Sequence, residues 1–151
     1  MPESPSGAAS KCAAGTLRRA TRSIARVYDA RLAGAGLTTT QFSLLRAIDR
    51  RDGPVRLAEL ADELVFERTS LYRTIEPLVR DGLVVVTNAE PRAKQVALTA
   101  KGARRVEKAL PLWTAAQKEF LERFGRAAWN ALAAQLVEIV DIARDIPAAV
   151  D

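Results

Sequence analysis

Residues 55–98 carry two short apolar patterns with helical spacing, followed by two β-rich runs, and this order restricts the possible folds more than any other feature of the chain. The apolar residues that repeat three and four apart are Leu57, Leu60, Ala61 and Leu64 in the first pattern and Leu71, Ile75 and Leu78 in the second. Each spacing places one apolar stripe along a short helix. Two short helices joined by a turn of about three residues form a helix-turn-helix. This region therefore predicts such a helix pair with a β-hairpin after it.

The second helix of the pair is predicted to lie between Glu67 and Gly82. Glu67 is acidic and stands at the expected helix start, where its carboxylate can accept hydrogen bonds from backbone N–H groups. Gly82 can adopt the left-handed conformation that ends many helices. Pro77 lies inside the helix, and we expect it to bend the helix. Hydroxyl and arginine side chains near the start of a short helix suit the groove of a DNA duplex.

The β-hairpin is predicted from two runs rich in β-branched residues, 83–87 and 95–98. The connecting residues 88–94 combine asparagine and proline with two basic side chains, Arg92 and Lys94. We expect a basic wing with a long turn. The prediction for this region is a winged helix-turn-helix spanning residues 37–98.

Basic residues are concentrated in the same region. The net charge of the chain is +5, and residues 68–105 alone contain eight basic and three acidic residues. A local excess of this kind is expected for a surface that binds phosphate, although a solvated charged surface is the alternative. Its overlap with the predicted helix and wing favours phosphate binding.

Helical spacing continues on both sides of the winged region. The first helix is predicted over about residues 11–33, a second begins at a Thr38 cap, and a fifth begins at Thr99. Pro111 should bend the fifth helix, and Gly125 separates it from a last helix that ends before Pro147. The apolar residues of the fifth and last helices are Val106, Leu110, Trp113, Phe120, Phe124, Trp129, Leu132, Leu136, Ile139 and Ala143.

These long helices carry more apolar surface than a small winged domain needs for its own core, which predicts a homodimer. Packing of the three helices within one chain is the alternative. We therefore predict a mainly α fold, a winged helix-turn-helix with N- and C-terminal dimerisation helices at residues 11–33 and 100–146. The whole of residues 11–151 is expected to form a single domain after a flexible tail at 1–10.

The residue inventory argues against an enzyme. The chain contains no histidine, one cysteine, and neither a GxxxxGK[ST] nor a GxGxxG phosphate loop. We expect no cofactor, no metal and no catalytic residue. The chain also lacks an apolar run of the ~18 residues that span a membrane, and residues 1–11 lack the apolar core of a signal peptide. We expect a cytoplasmic protein.

Four blocks of the sequence together resemble the MarR family of bacterial winged-helix transcription regulators. The blocks are LTTTQFSLL (37–45), LAELADEL (57–64), ERTSLYRTIEPLVRDGLV (67–84) and RAKQVALTAKG (92–102). The resemblance covers about residues 12–145. Tyr72 departs from the family because small hydroxyl residues are frequent at its position, and Glu90-Pro91-Arg92 replaces the usual Asp-x-Arg wing tip.

The resemblance implies a double-stranded DNA-binding transcriptional regulator, more often a repressor, that dimerises through its terminal helices. It also implies a short strand at Val55-Arg56. A two-fold dimer should bind a near-palindromic operator with half-sites about 10 bp apart. The candidate DNA-binding residues are Arg68, Thr69, Ser70, Tyr72, Arg73 and Thr74 for the major groove, with Arg92 and Lys94 on the wing.

Family regulators commonly release DNA when a small anionic aromatic ligand binds between the dimer helices and the winged region. The candidate ligand pocket comprises Arg18, Arg22, Arg26, Gln41 and Phe42, with one arginine neutralising a carboxylate. For the three arginines, a solvated helix face is the alternative.

Cys12 supports a different form of regulation. A thiol at a helix start beside Lys11 could form a reactive thiolate and sense oxidation, whereas a small, inert apolar residue is the other interpretation. A winged-helix protein adaptor that does not bind DNA and an RNA-binding protein are further alternatives. The basic wing disfavours the adaptor, and the scarcity of aromatic residues outside the apolar stripes disfavours RNA binding.

Overall fold

The computed structural model describes residues 12–90 and 93–147, apart from the side chain of Glu90. The predicted tail at 1–10 lies outside these residues. Within them the chain forms α1 (Ala13–Leu32), a 3-10 helix (Ala33–Ala35), α2 (Thr39–Asp49), β1 (Val55–Arg56), α3 (Leu57–Leu64), α4 (Arg68–Arg80), β2 (Val84–Glu90), β3 (Ala93–Leu98), α5 (Ala100–Phe124) and α6 (Arg126–Asp145). The chain divides into two compact units between Thr114 and Ala115. The predicted winged-helix fold is confirmed.

Helix α2 lies at the centre of the first unit and buries five of its eleven residues. Its N-terminus carries the predicted Thr38 cap, in which Gln41 N donates to Thr38 Oγ1 at 3.2 Å and Thr38 N donates to Gln41 Oε1 at 3.0 Å. This reciprocal pair satisfies two N–H groups that would otherwise lack helix partners. The buried residues of α2 are Phe42, Leu44, Leu45, Ala47 and Ile48. Because α2 contacts α1, α3, α4 and β3, it supports the whole winged region.

Helix α1 is joined to the start of α2 through Asp29. The Asp29 Oδ1 atom accepts from both Thr39 N and Thr39 Oγ1, each at 2.6 Å. Near the C-terminal end of α1, Tyr28 and Leu32 are buried, and burial raises the pKa of the Tyr28 hydroxyl. The helix ends as predicted at the glycine-containing segment, where Gly36 has a left-handed φ of 67°.

The wing is a three-stranded antiparallel sheet with the strand order β1-β3-β2. The expected strand at Val55-Arg56 is present and pairs with β3, with Arg56 opposite Gln95. Strands β2 and β3 pair from Val84 opposite Leu98 to Glu90 opposite Ala93, with an irregularity between Asn88 and Glu90. The prediction of a long turn over residues 88–94 is wrong, because cross-strand pairing extends both strands towards the tip.

Helices α3 and α4 form the predicted helix-turn-helix. The turn contains Val65, which has a positive φ of 56° and is the one such non-glycine residue in the described parts of the chain. The Phe66 N–H donates to Ala61 O at 2.8 Å, which closes the end of α3. Glu67 occupies the predicted N-cap position of α4, but its side chain makes no capping hydrogen bond. That part of the prediction is wrong, and the helix begins without a carboxylate cap.

Helix α5 ends at Phe124 and α6 begins at Arg126, so Gly125 separates them as predicted. Gly125 has a φ of 96°, which favours glycine, and α6 runs to Asp145. The apolar face of α5 was predicted only in part: Val106 is buried, but Leu110 and Phe124 are exposed, and Ala109 and Ala116 are buried in addition. Both Pro111 and Pro77 lie inside continuous helices. In the second unit, Phe120, Phe124 and Trp129 form an aromatic cluster with ring centroids 5.5–6.4 Å apart.

Candidate nucleic-acid interface

Helix α4 separates an apolar face from a polar face. Leu71, Ile75 and Leu78 are buried, as predicted, which fixes the orientation of the helix. Thr69 and Arg73 are four residues apart and lie on the outward side, together with Tyr72. These three side chains are exposed. The helix therefore presents a hydroxyl, a phenol and a guanidinium group to solvent from a rigid support.

The other predicted α4 residues are placed less uniformly. Arg68 is the first residue of the helix and is exposed, as is Ser70. Thr74 is half-buried, and its hydroxyl donates to the Ser70 carbonyl oxygen of its own helix at 2.9 Å. Because this hydroxyl proton is already used, Thr74 is a weaker candidate for contacting a base than Thr69.

The wing and α4 meet through one cation–π contact. The Lys94 Nζ atom lies 5.2 Å from the centre of the Tyr72 ring. A cation at this distance is attracted to the negative face of an aromatic ring. The structure thus brings together two residues that the sequence had placed separately on the helix and on the wing. The other wing candidate, Arg92, lies outside the described residues.

A cavity of about 250 Å³ lies between β1, the starts of α3 and α4, and β3. Its lining residues are Arg56, Leu57, Ala58, Arg68, Leu71, Tyr72, Ala93 and Lys94. Sequence reasoning missed Arg56 as part of this surface. Its signal was weak, since a single arginine before α3 acquires its position only through the pairing of β1 with β3.

Hydrogen bonds join the C-terminal end of α4 to the start of α5. The Thr99 hydroxyl donates to Gly82 O at 2.7 Å and accepts from Gly102 N at 3.0 Å, and Lys101 Nζ donates to Asp81 O at 2.7 Å. A Cβ atom built on Gly102 would lie 2.0 Å from Leu83 O, so only glycine fits there. These contacts hold the C-terminal end of α4.

The predicted ligand-pocket residues are not all brought together. Phe42 is buried with its ring centre 6.1 Å from that of Trp113, and Gln41 is engaged in the α2 cap. A cavity of about 310 Å³ beside these rings is lined by Phe42, Ser43, Arg46, Arg50, Leu64 and Trp113. The three α1 arginines are exposed and do not line this cavity: Arg18, Arg22 and Arg26. The arginines that line this cavity are Arg46 and Arg50.

Cys12 caps α1 with its backbone and has an exposed side chain. Its carbonyl oxygen accepts from Thr16 N at 3.1 Å and from Thr16 Oγ1 at 3.2 Å. Exposure is compatible with oxidation, and it differs from the partial burial expected of a small, inert apolar residue.

Residues 12–90 and 93–147 contain no group of three or more metal-ligating side chains that could hold an ion. The helices in the same part of the chain include none that is long and apolar enough to cross a membrane.

Comparisons with known proteins agree with this geometry. Residues 37–102 match the sequence model of a winged helix DNA-binding domain. The chain is similar to the M. tuberculosis transcriptional regulator MosR, solved in complex with DNA, with 38% identity, a TM-score of 0.81, and coverage of 89% of this chain and 97% of that one. A comparison with curated protein sequences finds no match.

Two more distant solved structures share the fold. CouR from Rhodococcus jostii RHA1, bound to p-coumaroyl-CoA, has 23% identity and a TM-score of 0.74, and the match covers 97% of this chain and all of that one. A MarR-family regulator from Rhodococcus sp. RHA1 has 22% identity and a TM-score of 0.73, with coverage of 86% and 96%. The fold and the polar face of α4 define a winged-helix DNA-binding protein. Within that class, the chain belongs to the MarR family of transcriptional regulators, as the sequence blocks predicted.

Proposed function

We propose that this protein is a homodimeric, sequence-specific repressor that binds double-stranded DNA and is released by a small ligand. The observation that carries the proposal is the outward face of α4, where Thr69, Tyr72 and Arg73 are exposed beside Lys94 of the wing. A helix of this size fits the major groove, and a β-hairpin can approach the adjacent backbone. The DNA complex of MosR, at 38% identity, supports the same partner for this chain. With DNA as its partner, the protein acts in the cytoplasm of a bacterial cell.

Arg73 is assigned to reading a base, since its guanidinium is exposed at the middle of the outward face. An arginine can donate two hydrogen bonds to the O6 and N7 atoms of guanine. Arg73→Ala should therefore relax the preference at one base position by about 1–3 kcal/mol and leave binding to random duplexes little changed. Arg18→Ala, on α1, serves as the matched control because it removes the same charge away from the proposed interface. Equal losses on specific and random DNA for Arg73→Ala would contradict base reading.

The choice between DNA, RNA and protein partners requires a direct binding experiment. Mobility shifts with a duplex DNA and a single-stranded RNA, each at two salt concentrations, distinguish the three. We expect duplex binding that weakens as salt rises, because counterions are released from the phosphates. Preference for the RNA supports an RNA-binding protein, and binding to neither supports the adaptor.

The homodimer is proposed from the apolar face of α6. This helix contains no buried residue in the single chain, although Ile139 and Ile142 lie at helical spacing along it and are exposed. A second copy is the simplest cover for such a face. A two-fold dimer should protect two half-sites about 10 bp apart, and protection of one half-site alone would contradict it.

For the ligand we propose the cavity beside Phe42 and Trp113. Two aromatic rings and two arginines, Arg46 and Arg50, suit an anionic aromatic compound. Arg46 also pairs with Asp49 at 3.0 Å and Arg50 with Glu63 at 3.8 Å, so a ligand carboxylate would compete with these exposed pairs. CouR is a regulator of this fold that was solved with p-coumaroyl-CoA, the thioester of a phenolic acid. For release, the ligand must bind more tightly to the dimer form that does not fit DNA.

A phenolic acid tests this site against the α1 arginines of the sequence prediction. Arg46→Ala should weaken release of DNA by the acid, whereas Arg18→Ala should not. The reverse result would return the pocket to Arg18, Arg22, Arg26 and Gln41.

Oxidation of Cys12 is the second candidate mechanism, favoured by the exposure of its side chain. The chain has no other cysteine with which a sulfenic acid at Cys12 could form an internal disulfide. Peroxide should release the wild type but not Cys12→Ser under the redox mechanism. Under the ligand mechanism both proteins ignore peroxide and both respond to the phenolic acid.

A further inference from the structure

We propose that Arg56, Arg68 and Lys94 form one binding site for a phosphodiester group of the DNA backbone, with Tyr72 as the positioning residue of Lys94. This inference rests on the proposed binding of double-stranded DNA and assigns one contact within it. The three cations come from three different elements, β1, α4 and β3, and all line the same cavity of about 250 Å³.

Charge compensation distinguishes this site from the other arginines of the winged region. Around α2 and α3, Glu63 pairs with both Arg50 and Arg51, and Asp49 pairs with Arg46. No carboxylate lines the cavity at Arg56, Arg68 and Lys94, and none of these three forms a salt bridge with a described residue. Three converging cations without a carboxylate repel one another in the free protein. An anion in the cavity would attract all three cations and offset their mutual repulsion, so a phosphodiester suits this cavity.

Backbone geometry explains why the cations converge. Pairing of β1 with β3 places Arg56 opposite Gln95, the residue next to Lys94. Arg68 and Tyr72 are four residues apart on α4, so they lie on neighbouring turns of the same side of the helix. The ring of Tyr72 lies 5.2 Å from Lys94 Nζ and so links the helix to the wing strand. The site therefore depends on two separate interactions, the pairing of β1 with β3 and the cation–π contact.

Tyr72 has a specific role in this arrangement. A free lysine side chain samples many rotamers, and ordering it on DNA costs conformational entropy. The ring face holds the ammonium group at the cavity before DNA arrives, so part of that cost is already met by the folded protein. A small hydroxyl residue, frequent at this position in the family that the sequence resembles, has no ring to provide the contact. Tyr72 thus gives this chain an ordered phosphate contact between helix and wing.

The test measures the salt dependence of binding to a fluorescein-labelled random-sequence duplex, because phosphate contacts do not depend on sequence. Each lost phosphate contact lowers the slope of log K against log salt by about 0.9. Arg56→Ala and Lys94→Ala should each lower the slope by about that amount per subunit. Tyr72→Leu leaves Lys94 charged but unordered, so it should weaken binding to this duplex at every salt concentration. In a Lys94→Ala background the same substitution should have no further effect. Tyr72→Phe keeps the ring and should retain the wild-type slope.

Lys118→Ala is the matched control, since it removes an exposed lysine paired with Glu122 outside the winged region and should leave the slope unchanged. Thermal unfolding of every variant checks the fold, and the exposed positions of Arg56, Tyr72 and Lys94 predict little change. A wild-type slope in Arg56→Ala overturns the proposal. So does wild-type duplex affinity in Tyr72→Leu while Lys94→Ala loses a contact. If the wild type itself shows no salt-dependent duplex binding, the proposed function fails together with this site.

Discussion

Helices α4 and α6 both carry apolar residues at helical spacing, but they complete their packing in different ways. Helix α4 buries Leu71, Ile75 and Leu78 within its own chain. Helix α6 is longer and buries none of its residues, with Ile139 and Ile142 exposed by 42% and 53%. Periodicity alone does not distinguish the two helices, because it reports that a face is apolar and not which surface covers it.

The difference assigns separate tasks to the two helices. The packing that orients the polar face of α4 is completed by one chain, so the DNA-reading surface does not require a partner for its shape. The apolar face of α6 requires a partner, and the proposed partner is a second copy. A regulator built in this way can change the spacing of two rigid reading surfaces without unfolding either, which is what a ligand-operated switch needs.

The largest expected effect comes from placing a charge on the α6 face. Ile142→Asp would bury a carboxylate without a partner in the proposed dimer, which costs several kcal/mol. We expect the variant to sediment as a monomer at concentrations where the wild type is a dimer. Val137→Asp is the control, because Val137 is 62% exposed and lies about 160° around the helix from Ile139. A dimer that survives Ile142→Asp would show that α6 is not the interface.

The next effect tests whether α4 is supported by its own chain. Leu71→Ala leaves a cavity in the winged region and should lower the free energy of unfolding by about 2–5 kcal/mol. Val79→Ala, on the exposed part of the same helix, should change it by less than about 0.5 kcal/mol. Urea unfolding at one fixed protein concentration measures both, since dimer stability depends on concentration. Similar losses from the two substitutions would mean that α4 is not oriented by this core.

Local chemistry explains which features could be predicted from the sequence. The core of α4, the Thr38 cap and the glycine ends at Gly36 and Gly82 depend on residues within one or two turns of each other, and all are present. The face of α5 was predicted less well because two of its buried positions are alanines, Ala109 and Ala116, which carry a weaker apolar signal than Leu110 or Phe124.

Features that depend on pairing between residues far apart in the chain were not predicted from the sequence. The wing turn was predicted too long because the pairing of Asn88 with Lys94 joins two runs that separately show weak β character. Arg56 was missed because only the β1–β3 pairing places it near Lys94. The capping bond of Glu67 was expected from residue type and position, but its side chain makes no such bond.

A third prediction concerns the joint between α4 and α5, which the sequence also did not reveal. Gly102→Ala would bring a Cβ atom to 2.0 Å from Leu83 O, so the backbone must shift. We expect a loss of about 1–3 kcal/mol in the free energy of unfolding, as for other overpacked sites. Gly34→Ala is the control, because its Cβ would meet only the flexible Leu112 side chain, at 3.3 Å. Equal stability of the two variants in urea unfolding would show that the joint relaxes without cost.

The smallest effect is a gain in stability at the turn between α3 and α4. Val65 has a φ of 56°, a left-handed conformation that costs a residue with a Cβ atom about 1–2 kcal/mol. Its side chain is 60% exposed, so little packing is lost when it is removed. Val65→Gly relieves the strain but adds freedom to the unfolded chain, which offsets about 0.5–1 kcal/mol of the gain. We expect a net stabilisation of up to about 1 kcal/mol, with Val65→Ala gaining less because it keeps the Cβ atom. Thermal unfolding measures both variants, and a lower midpoint for Val65→Gly would mean that contacts of the valine side chain outweigh its backbone strain. Since the outward face of α4 is oriented by Leu71, Ile75 and Leu78, DNA affinity should stay at the wild-type value while stability rises.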